Sequence, residues 1–240
     1  MKILIAVVSC HAYKSCGYRP KLPSGSRSES IRATWKNLVP DGVDFKFFLG
    51  RGPGTPKPDE VFLNVADEFF AAARKVQGII RYAFEHGYDY VLNCADDVFV
   101  NVPAILKSDF VNYDYVGNAT NPGLSKVPFR FCCGFAMWLS RKAMEIVSKA
   151  EVPWSDFEKE FDFEAYKRLD NIGKIPWHDD LWVGQVLSAS GIEAHDDEHY
   201  IVSVCEDNGG PSTYPLDKAY AVHITPKFEL METLYRECLT

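Results

Sequence analysis

The sequence lacks a long apolar run. Its first apolar stretch, Ile3–Ser9, ends after seven residues and is followed by polar residues, glycine and proline. A stretch of this length is too short to span a membrane or to form the apolar core of a signal peptide. We therefore expect no membrane segment in this chain, and we interpret Ile3–Ser9 as a buried strand.

The sequence also lacks an excess of positive charge. The formal net charge is -7 and the sequence pI is about 5.4. A broad basic surface, which binding to nucleic acid or an anionic membrane would require, is therefore excluded. Nucleic acid is an unlikely partner on this ground.

Paired cysteine motifs are missing as well. The chain has 7 cysteines, an odd number, and none forms a CxxC pair. A chain of 240 residues can bury a core without disulfides, so we predict reduced thiols. The alternative is a pairing of Cys10 with Cys16, or of Cys132 with Cys205, in an oxidising compartment.

The composition is that of one ordinary globular domain, with 47% hydrophobic and 25% charged residues and no internal repeat. Strands and helices alternate in the first half, which predicts an α/β sheet with ligands at the carboxyl ends of its strands. The predicted strands are Ile3–Ser9, Asp44–Leu49, Val61–Val65, Tyr88–Cys94, Tyr113–Asn118, Cys133–Ser140, Ile192–Ala194 and Tyr200–Val204. The predicted helices are Ser28–Trp35, Asp67–His86, Arg141–Ala150 and Asp179–Ser190.

Two adjacent acids follow the strand Tyr88–Cys94. Asp96 and Asp97 lie between this strand and the apolar triplet Val98–Val100. Burying two adjacent carboxylates without a cation is costly, and a divalent ion with oxygen ligands removes that cost. Acids on a solvated loop would explain the pair equally well from the residues alone.

The segment Tyr90–Asn101 resembles the DxD region of the family-31 β-1,3-glycosyltransferases, which include β-1,3-galactosyltransferases and Fringe-type enzymes. Five further blocks match this family in the same order. They are Glu29–Trp35, with Arg27 or a neighbour near the missing first arginine, then Phe45–Gly50, then Asp67 with Phe69 and Lys75, then Cys133–Ser140 and His178–Gly184.

The resemblance implies a single GT-A domain, a Rossmann-like mixed sheet flanked by helices. Residues 1–101 would form the half that binds the nucleotide-sugar, and residues 102–240 the half that binds the acceptor. It also implies an inverting enzyme that uses Mn²⁺ (or Mg²⁺) and a UDP-sugar. The enzyme would transfer a hexose or N-acetylhexosamine to an acceptor hydroxyl, forming a β-1,3 linkage on a glycan.

The resemblance assigns the metal to Asp97, and a contact with the nucleotide or a metal-bound water to Asp96. Ala95 stands where the family has the first of three acids, a departure that affects the usual ribose contact. His223 lies on a late apolar strand, where a histidine is commonly a core residue. GT-A enzymes, however, often use such a histidine as a further manganese ligand, and both interpretations stay open.

For the catalytic base we predict Asp180 or Asp179, because both open a helix whose N-terminus favours a carboxylate. The resemblance ranks Asp180 first, since it aligns with the more constant acid of the family. A purely structural N-cap is the alternative for each. Arg32, Lys75 and Asp67 are the predicted contacts of the donor. The rings of Trp138, Trp177 and Trp182 are candidates for stacking on sugar or uracil, with core packing as the alternative.

Three other functions would use the same residues. They are metal-dependent hydrolysis, non-catalytic binding of a nucleotide-sugar or glycan, and sugar transfer to a modified nucleic-acid base. Since relatives in eukaryotes are Golgi-anchored and this chain shows no anchor, we expect a cytoplasmic enzyme. The Golgi lumen is the alternative if an N-terminal anchor was removed.

Overall fold

Strands and helices alternate along the chain in a computed structural model, which describes residues 1–11, 26–67, 71–120, 127–152, 179–201, 218–224 and 230–239. The strands are β1 (Ile3–Val8), β2 (Val43–Leu49), β3 (Glu60–Phe62), β4 (Tyr90–Ala95), β5 (Val98–Val100), β6 (Tyr115–Ala119), β7 (Cys132–Ser140), β8 (His195–Asp196), β9 (Tyr200–Ile201) and β10 (Ala221–His223). The α-helices are α1 (Ser26–Ala33), α2 (Ala72–Glu85), α3 (Val102–Ile105), α4 (Arg141–Lys149), α5 (Asp179–Ala189) and α6 (Leu230–Glu237). Two short 3-10 helices span Trp35–Leu38 and Phe110–Asn112.

The strands form two sheets. The larger one has seven strands in the order β3-β2-β1-β4-β7-β6-β8. Its first four strands are parallel, β7 is antiparallel to both β4 and β6, and β8 is parallel to β6. The smaller sheet has the order β5-β10-β9. This arrangement confirms the predicted mixed α/β sheet.

Both faces of the large sheet are covered, as the continuous apolar run of β1 predicts. Ile3, Ile5 and Val7 belong to one core cluster, which also contains residues of α1, β5 and α6. Leu4 and Ala6 belong to a second cluster, formed with α2, α4 and α5. The alternation of β1 between the two clusters follows from the two-residue period of a strand.

Several predicted boundaries differ from the structure. The strand predicted at Val61–Val65 is β3, Glu60–Phe62, because its pairing with β2 stops where β2 ends at Leu49. The helix predicted from Asp67 is described from Ala72 onward. Asp67 itself accepts hydrogen bonds from the backbone N–H groups of two loops. No strand forms over Ile192–Ala194.

The structure bears on the predicted reduced thiols and on the predicted absence of a membrane segment. Cys94, Cys132, Cys133 and Cys238 carry free thiols. Each alternative disulfide includes Cys16 or Cys205, and residues 16 and 205 lie outside the described part of the chain. Within the described part, no helix is long and apolar enough to cross a membrane.

Candidate active site

The carboxyl ends of three parallel strands, β1, β2 and β4, meet at one edge of the large sheet. They are followed by Ser9, Gly50 and the Asp96–Asp97 pair, respectively. Topology alone therefore brings these residues together, as expected for a ligand site in an open α/β sheet.

Asp96 and Asp97 are buried and share one cationic partner. Their exposed fractions are 4% and 2%, and that of Arg27 is 3%. Nη1 of Arg27 lies 3.1 Å from Oδ1 of Asp96 and 3.3 Å from Oδ2 of Asp97. The hydroxyl of Ser9 donates to Oδ2 of Asp96 at 2.8 Å. The acids therefore do not lie on a solvated loop, the alternative that the residues alone left open.

The short strand β5 carries Asp97 toward His223. β5 pairs with β10 in antiparallel register, so that His223 lies opposite Val98, and the N–H of Ile224 donates to the carbonyl of Asp97 at 3.0 Å. Nε2 of His223 is 3.5 Å from Oδ2 of Asp97. The His223 side chain is 26% exposed, so it is neither a wholly buried core residue nor a surface residue.

The donor atoms of Asp97 and His223 suit a borderline divalent ion such as Mn²⁺, which accepts carboxylate oxygen and imidazole nitrogen. Two ligands of one ion at normal bond lengths lie about 3 Å apart, close to the observed separation. Among the described residues, however, no group of three or more His, Cys, Asp or Glu side chains could hold a metal. These two residues fit as part of a metal site, whose other ligands would come from substrate, from water or from residues outside the described part of the chain.

Asp179 and Asp180 approach the same edge through Gly134. The pairing of β4 with β7 ends at Cys94 opposite Ala136, so Gly134 lies on β7 beyond the last paired residues, toward the end of β4 that Asp96 follows. The N–H of Gly134 donates to Oδ2 of Asp180 at 3.2 Å. A Cβ at position 134 would lie 3.3 Å from Oδ2 of Asp179 and from Cβ of Asp180. Glycine at this position leaves room for both acids.

Phe135 connects the two groups of acids. Its ring stacks on that of His223, with centroids 5.9 Å apart and an interplanar angle of 19°. Since Phe135 directly follows Gly134, one segment of β7 contacts the imidazole beside Asp97 and the acids that open α5. Trp177 and His178, which precede these acids, lie outside the described residues.

Asp180 also acts on a neighbouring thiol. Burial raises the pKa of Cys133 to about 12, and the charges of Asp180 and Asp196 add to the rise. The Cys133 thiol donates to Oδ1 of Asn118 at 3.6 Å. A thiol in this environment stays protonated at neutral pH and is a poor nucleophile.

Lys75 and Asp67 form a second buried ion pair beside the first. Nζ of Lys75 lies 2.8 Å from Oδ1 of Asp67 and donates to the carbonyl of Ser9 at 3.0 Å. Asp67 also accepts the N–H of Gly50 at 2.7 Å and that of His11 at 2.5 Å. Ser9 therefore connects the Lys75–Asp67 pair to Asp96, and Asp67 fixes the ends of β1 and β2.

Arg32 lies in a separate network. It pairs with Asp59 at 2.9 Å, with Glu60 at 2.8 Å and with Glu29 at 2.7 Å, and its guanidinium lies over the ring of Phe47. Burial would raise the pKa of Asp59, but hydrogen bonds from Arg32 and Lys36 outweigh it and hold that pKa well below its usual value. The structure thus gives Arg32 partners that do not belong to the acidic pair, and its contact with the donor stays a prediction.

Two of the three candidate tryptophans are packed in the core. Trp138 is stacked on Phe110 with centroids 4.0 Å apart, and Trp182 donates its Nε1 hydrogen to the carbonyl of Glu151 at 3.3 Å. Both are at most 2% exposed, which agrees with the core-packing alternative.

Sequence reasoning missed the role of Arg27 and Ser9. Arg27 stands one residue further from Ile31 than the family signature requires, so its position near the missing arginine did not identify it as a partner of the acids. Ser9 was included in the first strand. Its place at the carboxyl end of β1, beside the end of β4, was the signal that could have identified it.

No family model matches the chain, and no curated protein matches it either. Solved structures do. The glycosyltransferase GlyE of Streptococcus pneumoniae is 12% identical in sequence and gives a TM-score of 0.51. The alignment covers 100% of this chain and 60% of the GlyE chain. A glycosyltransferase involved in glycosylation of the major capsid of PBCV-1 is 17% identical and gives a TM-score of 0.44, with 95% of this chain and 98% of that chain aligned. A Drosophila β-1,4-galactosyltransferase 7 mutant, complexed with manganese, UDP-Gal and xylobiose, is 10% identical and gives a TM-score of 0.40. The alignment covers 96% of this chain and 74% of that chain. Of these three, GlyE has a TM-score above 0.5, and at 12% identity this likeness concerns the fold alone. The predicted fold class, a mixed α/β sheet of the GT-A type, is confirmed.

Proposed function

We propose that this chain transfers a sugar from a nucleotide-sugar to an acceptor hydroxyl, with Asp97 and Asp180 as its two essential acids. One observation carries the proposal: a buried acidic pair, an imidazole and two helix-opening acids converge on the carboxyl edge of the sheet. The resemblance to family 31 favours a UDP-sugar as donor, a hexose or N-acetylhexosamine as the transferred group, and a glycan as acceptor with a β-1,3 linkage.

Asp97 and His223 are the residues that would hold Mn²⁺ or Mg²⁺. When bound, such an ion supplies positive charge that stabilises the departing diphosphate. Asp96 lies beside Asp97 and is oriented by Ser9 and Arg27, so it is positioned to contact the nucleotide or a water bound to the ion. Ala95 offers no carboxylate for a ribose, so the nucleotide must be held by other contacts.

Asp180 is the proposed general base. Its carboxylate is oriented by the N–H of Gly134 and accepts the N–H of Leu181 at 2.8 Å, and it lies in the first turn of α5. Asp180 takes the proton from the acceptor hydroxyl while that oxygen bonds to the anomeric carbon. The bond from this carbon to the diphosphate oxygen breaks in the same step, and the electron pair leaves with the diphosphate. A single displacement of this kind inverts the anomeric centre.

Asp179 is the alternative base, since it also lies against Gly134. Lys75 and Asp67 are proposed to support the donor site, because Lys75 bonds the carbonyl of Ser9 and Ser9 bonds Asp96. Their buried positions favour orientation of neighbouring groups over direct contact with the sugar.

A donor screen that measures UDP release tests the proposal, with Mn²⁺ present and absent and with a panel of glycan acceptors. Asp97→Ala should abolish turnover and weaken metal-dependent UDP binding, whereas Asp180→Asn should abolish turnover and leave that binding intact. Asp114→Asn is the matched control, because Asp114 pairs with Lys142 and Ser140 and takes no part in the site. A near-normal rate for Asp180→Asn would refute its assignment as base.

Non-catalytic binding of a nucleotide-sugar is a second candidate function. Two features favour it: Ala95 replaces an acid, and Arg27 already balances part of the charge of the acidic pair. Metal-dependent UDP binding without turnover over the whole acceptor panel would support this function and exclude transfer.

A further inference from the structure

We propose that Arg27 controls access of the divalent ion to the acidic pair, so that the ion binds tightly only when a nucleotide diphosphate is present. This inference rests on the proposed function of the site. In the metal-free chain Arg27 pairs with the two carboxylates. When the ion and the nucleotide are bound, its guanidinium pairs with the diphosphate instead.

The first argument is that one carboxylate oxygen serves both partners. Oδ2 of Asp97 lies 3.3 Å from Nη1 of Arg27 and 3.5 Å from Nε2 of His223. An ion that uses Asp97 and His223 as ligands approaches this same oxygen. The guanidinium and the ion therefore compete for one position.

The second argument concerns charge. The two buried carboxylates carry two negative charges, and Arg27 balances one of them at short range. In an environment that is 3% exposed or less around Arg27 and Asp97, repulsion between a guanidinium and a dication is screened only weakly. The ion therefore meets a positive group beside the carboxylate that would bind it.

The third argument concerns the nucleotide. A diphosphate brings negative oxygens that form bidentate hydrogen bonds with a guanidinium. It can thus accept Arg27 as the ion takes over Asp97. The ion and the nucleotide then favour each other's binding, and linkage requires the effect to be equal in both directions.

The test is a calorimetric titration of the intact protein with MnCl₂, alone and in the presence of UDP. In the wild type UDP should raise Mn²⁺ affinity by about 100-fold. Arg27→Gln keeps an N–H donor and removes the charge, so it should bind Mn²⁺ alone about tenfold more tightly and lose about tenfold of the coupling. Arg27→Lys keeps the charge but lacks the bidentate donors, so its affinity for Mn²⁺ alone should remain close to that of the wild type. Arg81→Gln is the matched control, because Arg81 bonds only the carbonyl of Ser148 among the contacts described.

The outcomes separate the two proposals. If the wild type binds Mn²⁺ neither alone nor with UDP, the proposed metal site is wrong. If the wild type binds it with UDP and Arg27→Gln binds Mn²⁺ alone no better, the metal site stands and the role of Arg27 is refuted. If Arg27→Gln does not fold, a crystal structure of the wild type with Mn²⁺ and UDP decides. A guanidinium still within hydrogen-bond distance of Asp97 in that complex would overturn the inference.

Discussion

Replacing Gly134 by alanine should slow transfer without weakening nucleotide binding. The new methyl group would lie 3.3 Å from Oδ2 of Asp179 and from Cβ of Asp180, closer than ordinary van der Waals contact. The acids must therefore move by a few tenths of an ångström, or the N-terminus of α5 must shift with them. Overpacking of this kind costs about 1 kcal/mol, which lowers the melting temperature by about 2–4 °C in a chain of this size.

The larger effect of Gly134→Ala should be on the reaction. The N–H of Gly134 donates to the Asp180 carboxylate, so displacing that carboxylate would misalign the proposed base with the acceptor hydroxyl. Small misplacements of a reacting group reduce rates strongly, and we expect kcat/KM to fall about tenfold. The UDP-release assay measures this fall, and calorimetry with Mn²⁺ and UDP should show unchanged affinity.

Gly78→Ala is the control for Gly134→Ala. Gly78 lies within α2, and the three atoms nearest to a Cβ there belong to the flexible side chain of Leu63, so this change should leave kcat/KM unaltered. An unchanged rate for Gly134→Ala would show that the two acids accommodate the methyl group without a change in function, and that the hydrogen bond from Gly134 does not position Asp180. A loss of UDP affinity would instead place Gly134 beside the donor.

Further changes probe the surroundings of the site. Lys75→Met removes the ion-pair partner of Asp67, a largely buried carboxylate, and should lower the free energy of unfolding by about 3 kcal/mol. Urea titration measures this change, and an unchanged midpoint would mean that the ion pair does not contribute to stability. The pKa of Asp59 is lowered in the folded protein, so its contribution to stability is present above its unfolded pKa and is lost as the pH falls through the folded pKa. Arg32→Gln should therefore make the free energy of unfolding depend less on pH in the acid range. The same pH dependence in the variant and the wild type would contradict this. The pKa of Cys133 is about 12, so iodoacetamide should label Cys133 in the native protein very slowly at pH 8, and rapid labelling there would refute the burial argument.

The sequence was a good guide to the elements of the first half. The apolar run of β1, the glycine with positive φ after α2 and the acids after β4 each carry a local signal that a single sequence displays. Gly87, with φ of 75°, ends the helix where predicted, because left-handed backbone there favours glycine. The confirmed α/β sheet follows from these signals and from the rules of parallel connections.

The contacts of the site could not be predicted in the same way. The approach of His223 to Asp97 depends on the antiparallel pairing of two three-residue strands, β5 and β10, which carry almost no periodic signal. Arg27 and Arg32 both lie on α1 and are separated by little more than one helical turn. One pairs with Asp96 and Asp97 and the other with Asp59, and only the packing of α1 decides which. The assigned roles of Asp97, Asp180 and His223 stay predictions.

The pairing of β5 with β10 also has a consequence for protein synthesis. Asp97 leaves the ribosome long before His223, and the backbone bond between Ile224 and Asp97 can form only when β10 has been made. A nascent chain that already has β1, β4 and β7 therefore possesses the carboxylates but not the imidazole beside them. The Asp97–His223 pair, the proposed site of the divalent ion, can therefore form only after β10 has been synthesised.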